Sequence, residues 1–309
     1  MSSVDSSLPP PSADAQAHSA RVLRLMRAQI EAAGGSISFA QYMAQALYAP
    51  GLGYYSAGAQ KFGEAGDFVT APEISPLFGK TLARQIQPIL AQLDDPILLE
   101  LGAGTGAMAA QILQALAAQD ALPKAYWILE PSAELQQRQQ QELMRSLPAD
   151  IVARVQWLQA IPEESFEGVI LGNEVIDALP CALIEKNDEG FVERAVAWQD
   201  DQLAWAARPL SVPIAEALER IPEAIREAWP VGYVTELRTT LSDWLDALAS
   251  PLQRGAMLWL DYGYGRREYY HPERASGTLR CFYRHRAHDD PFLWPGLQDI
   301  TAHVDFTAL

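Results

Sequence analysis

The segment PILLELGAGTGAMAAQILQALAAQ, residues 96–119, decides the fold. Its first six residues form an apolar run, too short for a helix and bounded by glycine, which is the pattern of a strand buried on both faces. Glycines at 102, 104 and 106 follow, then an alanine-rich stretch of high helix propensity. Strand, glycine turn and helix in that order open a parallel α/β unit. The alternation continues downstream. AYWILEP (125–131) reads as a second strand, and PSAELQQRQQQELMRSL (131–147) as a polar helix with Leu135 and Leu143 inward. Residues 155–158 and 168–172 read as a third and a fourth strand. TELRTTLSDWLDALAS (235–250) reads as a helix, and 256–260 as a fifth strand running into DYG (261–263). The expected fold class is α/β: a Rossmann-like parallel sheet covered by helices.

Between the fourth strand and the helix at 235 the pattern changes. ALIEK (182–186), FVERAVAWQ (191–199) and LAWAA (203–207) are β-rich runs separated by the turn clusters NDEG and DDQ. They predict an antiparallel meander inserted into the α/β unit, with Trp198 and Trp205 in its core. Upstream, Val22, Leu25, Met26 and Ile30 fall at helical spacing, and Gly34-Gly35 stops that helix. Ser38 with Gln41 makes a capping box for a helix through Tyr48. Ser75-Pro76 starts another, with Pro88 expected to kink or end it. The expected organisation is a disordered tail over 1–19 and one domain over 20–309. Within the domain lie an N-terminal helical cover (20–95), a cofactor-binding half (96–177), a substrate-side insertion (178–234) and the remainder (235–309).

Of the 309 residues 49% are hydrophobic, enough for a sizeable core, and the formal net charge is -16. Such acidity disfavours a nucleic-acid partner and suits a basic peptide, although it also simply keeps a surface soluble. Cys181 and Cys281 stand too far apart in sequence for a disulfide framework or a metal motif, and the histidines at 271, 285, 288 and 303 show no ligand spacing, so no metal is expected. The arginine-rich YRHRAHDD (283–290) reads as a salt-bridged loop. The N-terminus has neither signal-peptide nor transit-peptide character, and no apolar run reaches membrane-spanning length. These features lead to the expectation of a cytoplasmic protein without a membrane association.

ELGAGTG (100–106) leaves a strand and enters a helix, so its backbone can turn tightly and approach a ligand at a helix N-terminus. Glu130 ends the second strand, where a carboxylate can accept both hydroxyls of an adenosine ribose. Gly102, Gly104 and Ala107 also satisfy the dinucleotide pattern G-x-G-x-x-G/A. The chemistry of Glu100 separates the two ligands. A carboxylate two residues before the first glycine sits badly beside a pyrophosphate and well beside an ammonium group. Gly106 keeps the next turn open for the adenosine. S-adenosyl-L-methionine, with its sulfonium and amino group, is therefore the expected cofactor, on Glu100, Gly102, Gly104, Gly106 and Glu130.

GDFVTAPEIS (66–75), ELGAGTG (100–106), GNEVIDALP (172–180), DYG (261–263) and DITAHVDFTAL (299–309) occur in that order. Together they resemble the MidA family of methyltransferases, whose mitochondrial members are complex I assembly factors and protein arginine methyltransferases. The resemblance covers about residues 20–309. It implies a class I methyltransferase fold, S-adenosyl-L-methionine as cofactor, and an arginine of a partner protein, a respiratory-complex subunit among them, as acceptor. It also implies that GDFVTAPEIS covers the cofactor, through Asp67 and Thr70. Family members continue beyond the HVDF motif with a helix and two further strands, so the C-terminal strands of the sheet are expected to be missing here.

Methyl transfer is an in-line displacement at carbon, helped chiefly by alignment. Carboxylates can hold a guanidinium in a fork while one nitrogen attacks. Asn173, Glu174 and Asp177 follow the fourth strand, at the edge where open α/β sheets bind ligands. They and Glu73 are the expected catalytic residues. Each has a plainer alternative: a turn former for Asn173, a helix cap for Asp177, a charge against a helix dipole for Glu73. Asp261 and Tyr262 border either the acceptor site or a simple turn. A rival from a different class is a non-catalytic S-adenosyl-L-methionine-binding assembly factor.

Overall fold

The computed structural model describes residues 8–56 and 71–309. The chain divides into two units, one of Met1–Ala59, Ile176–Leu241 and Tyr262–Leu309, the other of Gln60–Val175 and Ser242–Asp261. The first unit opens with α1 (Ala13–Ala32), β1 (Ser36–Ser38) and α2 (Phe39–Tyr48). The second follows with α3 (Ala71–Ile74), α4 (Leu77–Leu90), β2 (Ile97–Leu101), α5 (Ala107–Ala117), β3 (Ala125–Leu129), α6 (Ala133–Ser146), α7 (Ala149–Val152), β4 (Val155–Leu158) and β5 (Phe166–Asn173). The first resumes with β6 (Ala182–Asn187), β7 (Gly190–Gln199), β8 (Gln202–Arg208), α8 (Val212–Glu219), α9 (Glu223–Glu227) and β9 (Val234–Leu237). After α10 (Leu241–Ala249) and β10 (Leu252–Leu260), which complete the second unit, come β11 (Gly263–Tyr264), α11 (Arg266–Tyr269), β12 (Arg280–Tyr283), β13 (Arg286–His288), β14 (Asp299–Thr301) and β15 (Val304–Asp305).

The second unit is a five-stranded parallel sheet in the order β10-β5-β2-β3-β4. The α/β fold with a parallel sheet is thus as the glycine segment predicts. Side chains alternate between its faces, because successive strand residues point to opposite sides. Leu98, Tyr126, Ile128, Val169 and Leu171 pack with Leu82 and Ile86 of α4, Ile112 and Leu113 of α5 and Leu143 of α6. On the other face Leu99, Leu101 and Ile170 meet Leu248 of α10, with Trp127, Trp244 and Trp259 beside them. The chain steps from β2 to β3 and β4 on one side, then returns to place β5 and β10 on the other. The strand order therefore reverses between β2 and β5, the switch point beyond whose carboxyl ends open α/β sheets bind their ligands.

The first unit holds the predicted meander. β7 pairs with β6 and β8, and β6 also pairs with β9, all antiparallel. β1 adds to the free end of β7, with Ile37 opposite Val196. Ser38 and Gln41 form both halves of the capping box that starts α2. Two local expectations are corrected. Residues 13–19, read as disordered tail, are helical: Ser12 caps α1 by accepting from the Ala15 amide. Residues 235–237, read as helix, form β9 instead. Thr235 pairs with Ile184, and all four residues of β9 are buried against the meander, which outweighs the helical pattern of the segment. Pro88 does lie close to a helix end, in the last turn of α4. The C-terminal part carries the β13-β12-β14 sheet and the β11-β15 pair where only loops are expected.

Candidate functional site

The turn from β2 to α5 is built by glycine geometry. Gly102, Gly104 and Gly106 have φ of 60°, 54° and 86°, the left-handed region that side-chain-bearing residues avoid. Gly106 caps α5, and a Cβ there would stand 3.2 Å from the Gln139 Cα. The loop thus runs close over α6 with its amides at a helix start, a position that favours polar or anionic ligand groups. Gly102 lies over the switch point, where a Cβ would meet the Val175 Cγ2 at 3.5 Å.

Glu100 sits beneath this loop, fully buried in β2. The Tyr126 hydroxyl donates to its Oε2 at 2.5 Å, and its Oε1 has no hydrogen-bond partner among the described residues. Burial pushes this carboxyl from 4.5 up to about 7, against the smaller opposing effect of the tyrosine hydrogen bond. A cation brought near it would favour the ionised form. An orphaned buried carboxyl oxygen two residues before a glycine cradle fits a cationic ligand and opposes a pyrophosphate.

Glu130 follows β3 and is nearly buried. Its Oε1 accepts from the Ser132 amide at 2.9 Å, and its Oε2 accepts from the Gln139 Nε2 at 3.2 Å. The same Gln139 nitrogen donates to the Gly104 carbonyl at 3.1 Å, and the Gln139 Oε1 accepts from the Trp157 indole at 2.9 Å. One buried amide therefore ties the glycine loop to the second-strand acid. Sequence reading missed Gln139, although a signal existed. It lies midway between Leu135 and Leu143 at spacing four, so it is a polar residue on the inward stripe of α6.

β5 places Asn173 and Glu174 beside β2 at the switch point. Asn173 pairs with Leu260, and the Glu174 amide donates to the Leu260 carbonyl at 2.8 Å. Glu174 has φ of 52°, an uncommon conformation for a residue with a side chain. Glu73 lies on α3. Gln111 of α5 fastens that segment: its Nε2 donates to the Pro72 carbonyl at 2.7 Å, and its Oε1 accepts from the Gly79 amide at 3.2 Å. Gln111 too escaped the sequence reading. Asp67 and Thr70 lie outside the described residues.

Asp177 belongs to the other unit, where it is buried. Its carbonyl accepts from the Ala302 amide and from Arg238 Nη2, both at 3.0 Å. No helix follows it: residues 177–181 are turn and coil leading into β6, so a helix-cap role is replaced by a place in a buried turn. Asp261 ends the second unit after β10, and Tyr262 is exposed in the first. Among the described residues no group of three or more His, Cys, Asp or Glu could hold a metal ion. Among the same residues no helix is long and apolar enough to cross a membrane.

Comparison with known proteins bears directly on this geometry. A family profile described as "Putative S-adenosyl-L-methionine-dependent methyltransferase" matches residues 81–309. A crystal structure of a COG1565 superfamily member from Burkholderia thailandensis, bound to S-adenosyl-homocysteine, is 47% identical. It superposes with a TM-score of 0.91 over 98% of this chain and 78% of that one. The protein arginine methyltransferase NDUFAF7 homolog, mitochondrial, of Drosophila melanogaster is 28% identical over 96% of this chain and 71% of its own length. The protein arginine methyltransferase NDUFAF7, mitochondrial, of Mus musculus is 30% identical over 89% of this chain and 66% of its own. The chain thus spans about two thirds of the length of these curated relatives. The expectation of a cytoplasmic location is corrected by them, since the fly, mouse and human relatives are all named as mitochondrial. Two free buried cysteines fit any reducing compartment, which is why composition misled on this point.

Proposed function

This chain belongs to the family of S-adenosyl-L-methionine-dependent methyltransferases, and from that premise we propose that it methylates an arginine of a partner protein, with a respiratory-complex subunit as the first target to test. The observation that carries the reading is the left-handed glycine loop after β2, tied through Gln139 to Glu130 and preceded by the buried, half-satisfied Glu100, all within one unit. The acceptor is taken from the relatives named as protein arginine methyltransferases.

S-adenosyl-L-methionine, the family's cofactor, would supply an electrophilic methyl group when bound. The chain's residues then have separate tasks. Glu130 would accept the ribose hydroxyls, and the amides of residues 102–106 would hold the cofactor at the helix start. Glu100, beneath the loop, offers negative charge toward the ligand's cationic end. Glu174 would accept from two guanidinium N–H groups, which orients the acceptor nitrogen and leaves a carboxylate in place to take the proton that this nitrogen sheds on methylation. Asn173 holds the same edge with its amide. Glu73 is the second acceptor-side carboxylate, and Asp67 and Thr70 are assigned to cover the cofactor.

Glu174 shares its left-handed backbone with seven other described non-glycine residues, so the choice between chemistry and a purely binding role rests on an assay. The test is transfer of labelled methyl from S-adenosyl-L-methionine to proteins of a respiratory-membrane extract, followed by mass spectrometry of methylarginine. Label appearing on arginine with the parent chain and not with Glu174→Gln supports the reading. Tight binding of S-adenosylhomocysteine without any transfer favours the non-catalytic assembly factor.

A further inference from the structure

We infer that Gln139 is a positioning residue that sets ribose recognition, by locking the Glu130 carboxylate to the glycine loop. The inference rests on the assignment of Glu130 to the ribose. Gln139 is fully buried, in the middle of α6, with no exposed surface. A buried primary amide must satisfy two donors and an acceptor. Here one nitrogen donates to the Gly104 carbonyl and to the Glu130 Oε2, and the oxygen accepts from the Trp157 indole. The indole donor can be met only by the amide oxygen, so Trp157 fixes which way the amide faces. The nitrogen is then committed to the loop and to the acid together.

The consequence is geometric. Glu130 accepts the Ser132 amide on Oε1 and Gln139 on Oε2. One hydrogen bond on each oxygen holds the carboxylate in a single orientation relative to the loop. Gly106 approaches the Gln139 backbone closely enough that a Cβ would stand 3.2 Å from its Cα. Loop and acid therefore share one support and keep a constant spacing. A ribose bridging them is read by that spacing, and removing the amide frees the two sides independently.

The experiment measures affinity of the parent and three variants for S-adenosylhomocysteine and for its 2′-deoxyribose analogue, by isothermal titration. Gln139→Leu removes all three hydrogen bonds. Gln139→Glu keeps the acceptor for Trp157 and loses the donors. Trp157→Phe keeps the amide and removes the bond that orients it. Circular dichroism and melting temperature identify folded variants, and the last two substitutions carry the test if Gln139→Leu does not fold. The parent is expected to prefer the ribose ligand at least roughly tenfold. The two Gln139 variants should bind it at least roughly tenfold more weakly and discriminate less than threefold. Trp157→Phe should fall between. A merely structural role lowers both affinities together and keeps their ratio, and a retained ratio overturns the inference while leaving the cofactor reading intact. A parent that binds both ligands equally also overturns it, since Glu130 then does not read the ribose. A parent that binds neither overturns the cofactor reading and the inference with it.

Discussion

Replacing Glu100 by glutamine should make the ligand-free protein more stable in alkali and weaken its hold on the cofactor. Burial raises this carboxyl from 4.5 to about 7. In the unfolded chain it titrates near the ordinary carboxylate value, so between those two pH values the folded state holds more protons than the unfolded one. Stability from this group is therefore lost as pH rises through the window from 4.5 to about 7, and the loss is complete above it. About 2.5 units at roughly 1.4 kcal/mol each makes the full effect of order 3 kcal/mol. Glu100→Gln keeps the size and an acceptor for the Tyr126 hydroxyl but cannot ionise. Urea unfolding at pH 5, 6, 7 and 8 should show the variant gaining on the parent by roughly 1–3 kcal/mol at pH 8 and little at pH 5. Binding should respond in the opposite sense. A cationic ligand lowers the carboxyl's affinity for its proton, so the parent should release protons on binding S-adenosyl-L-methionine near pH 6.5, visible by titration in buffers of different ionisation enthalpy. A difference between parent and variant that does not change with pH would refute the assignment of a raised, ligand-linked carboxyl.

Three further outcomes are expected. Gly104→Val should abolish S-adenosylhomocysteine binding by isothermal titration with the fold kept by circular dichroism, since φ of 54° excludes a branched side chain. Glu130→Ala should weaken that binding by roughly 1.5–3 kcal/mol, the usual scale for hydrogen bonds to a charged group, and a change under twofold would reassign the ribose contact. Glu174→Gln should leave cofactor affinity unchanged and slow single-turnover methyl transfer at least roughly tenfold, which loss of about 1.4 kcal/mol of transition-state stabilisation already produces; a parental rate would end the guanidinium role and direct attention to Glu73.

The parallel sheet was legible because its signals are local and redundant. β2, β3 and the middle of β5 are short runs dominated by apolar residues, and the glycines after β2 permit the left-handed turn found there. The misreading at 235–237 has the opposite origin. Thr235 and Glu236 have helical neighbours at suitable spacing, and nothing local says that the segment lies beside β6. Glu236 is buried there because donors from far along the chain satisfy it: the amides of Thr278 and Leu279 and the hydroxyl of Tyr269. A carboxylate can enter a sheet interior only with such partners, and their identity is a property of the folded chain. The start of α1 was missed for a smaller reason. Its first turns are alanine-rich and polar, so the apolar spacing that marks a buried helix begins only at Val22.

The same distinction governs the site. Motif reading found the groups that face a ligand, because glycine at a helix start and an acid after a strand are needed whatever surrounds them. It did not find Gln139 or Gln111, which hold those groups in place. In a sequence both are ordinary glutamines within polar or alanine-rich helices. Their importance lies in what they join: Gln139 connects Gly104, Glu130 and Trp157, and Gln111 connects Pro72 to the amide of Gly79. A glutamine earns notice from sequence only when it interrupts an inward stripe, as Gln139 does between Leu135 and Leu143. Burying its amide there would cost about 1–3 kcal/mol for each group left unpaired. The helix tolerates it because all its partners are supplied at once by the loop, the acid and the indole. Loop position and acid orientation are consequently one structural variable, and a substitution at any of the three partners should be felt at the other two.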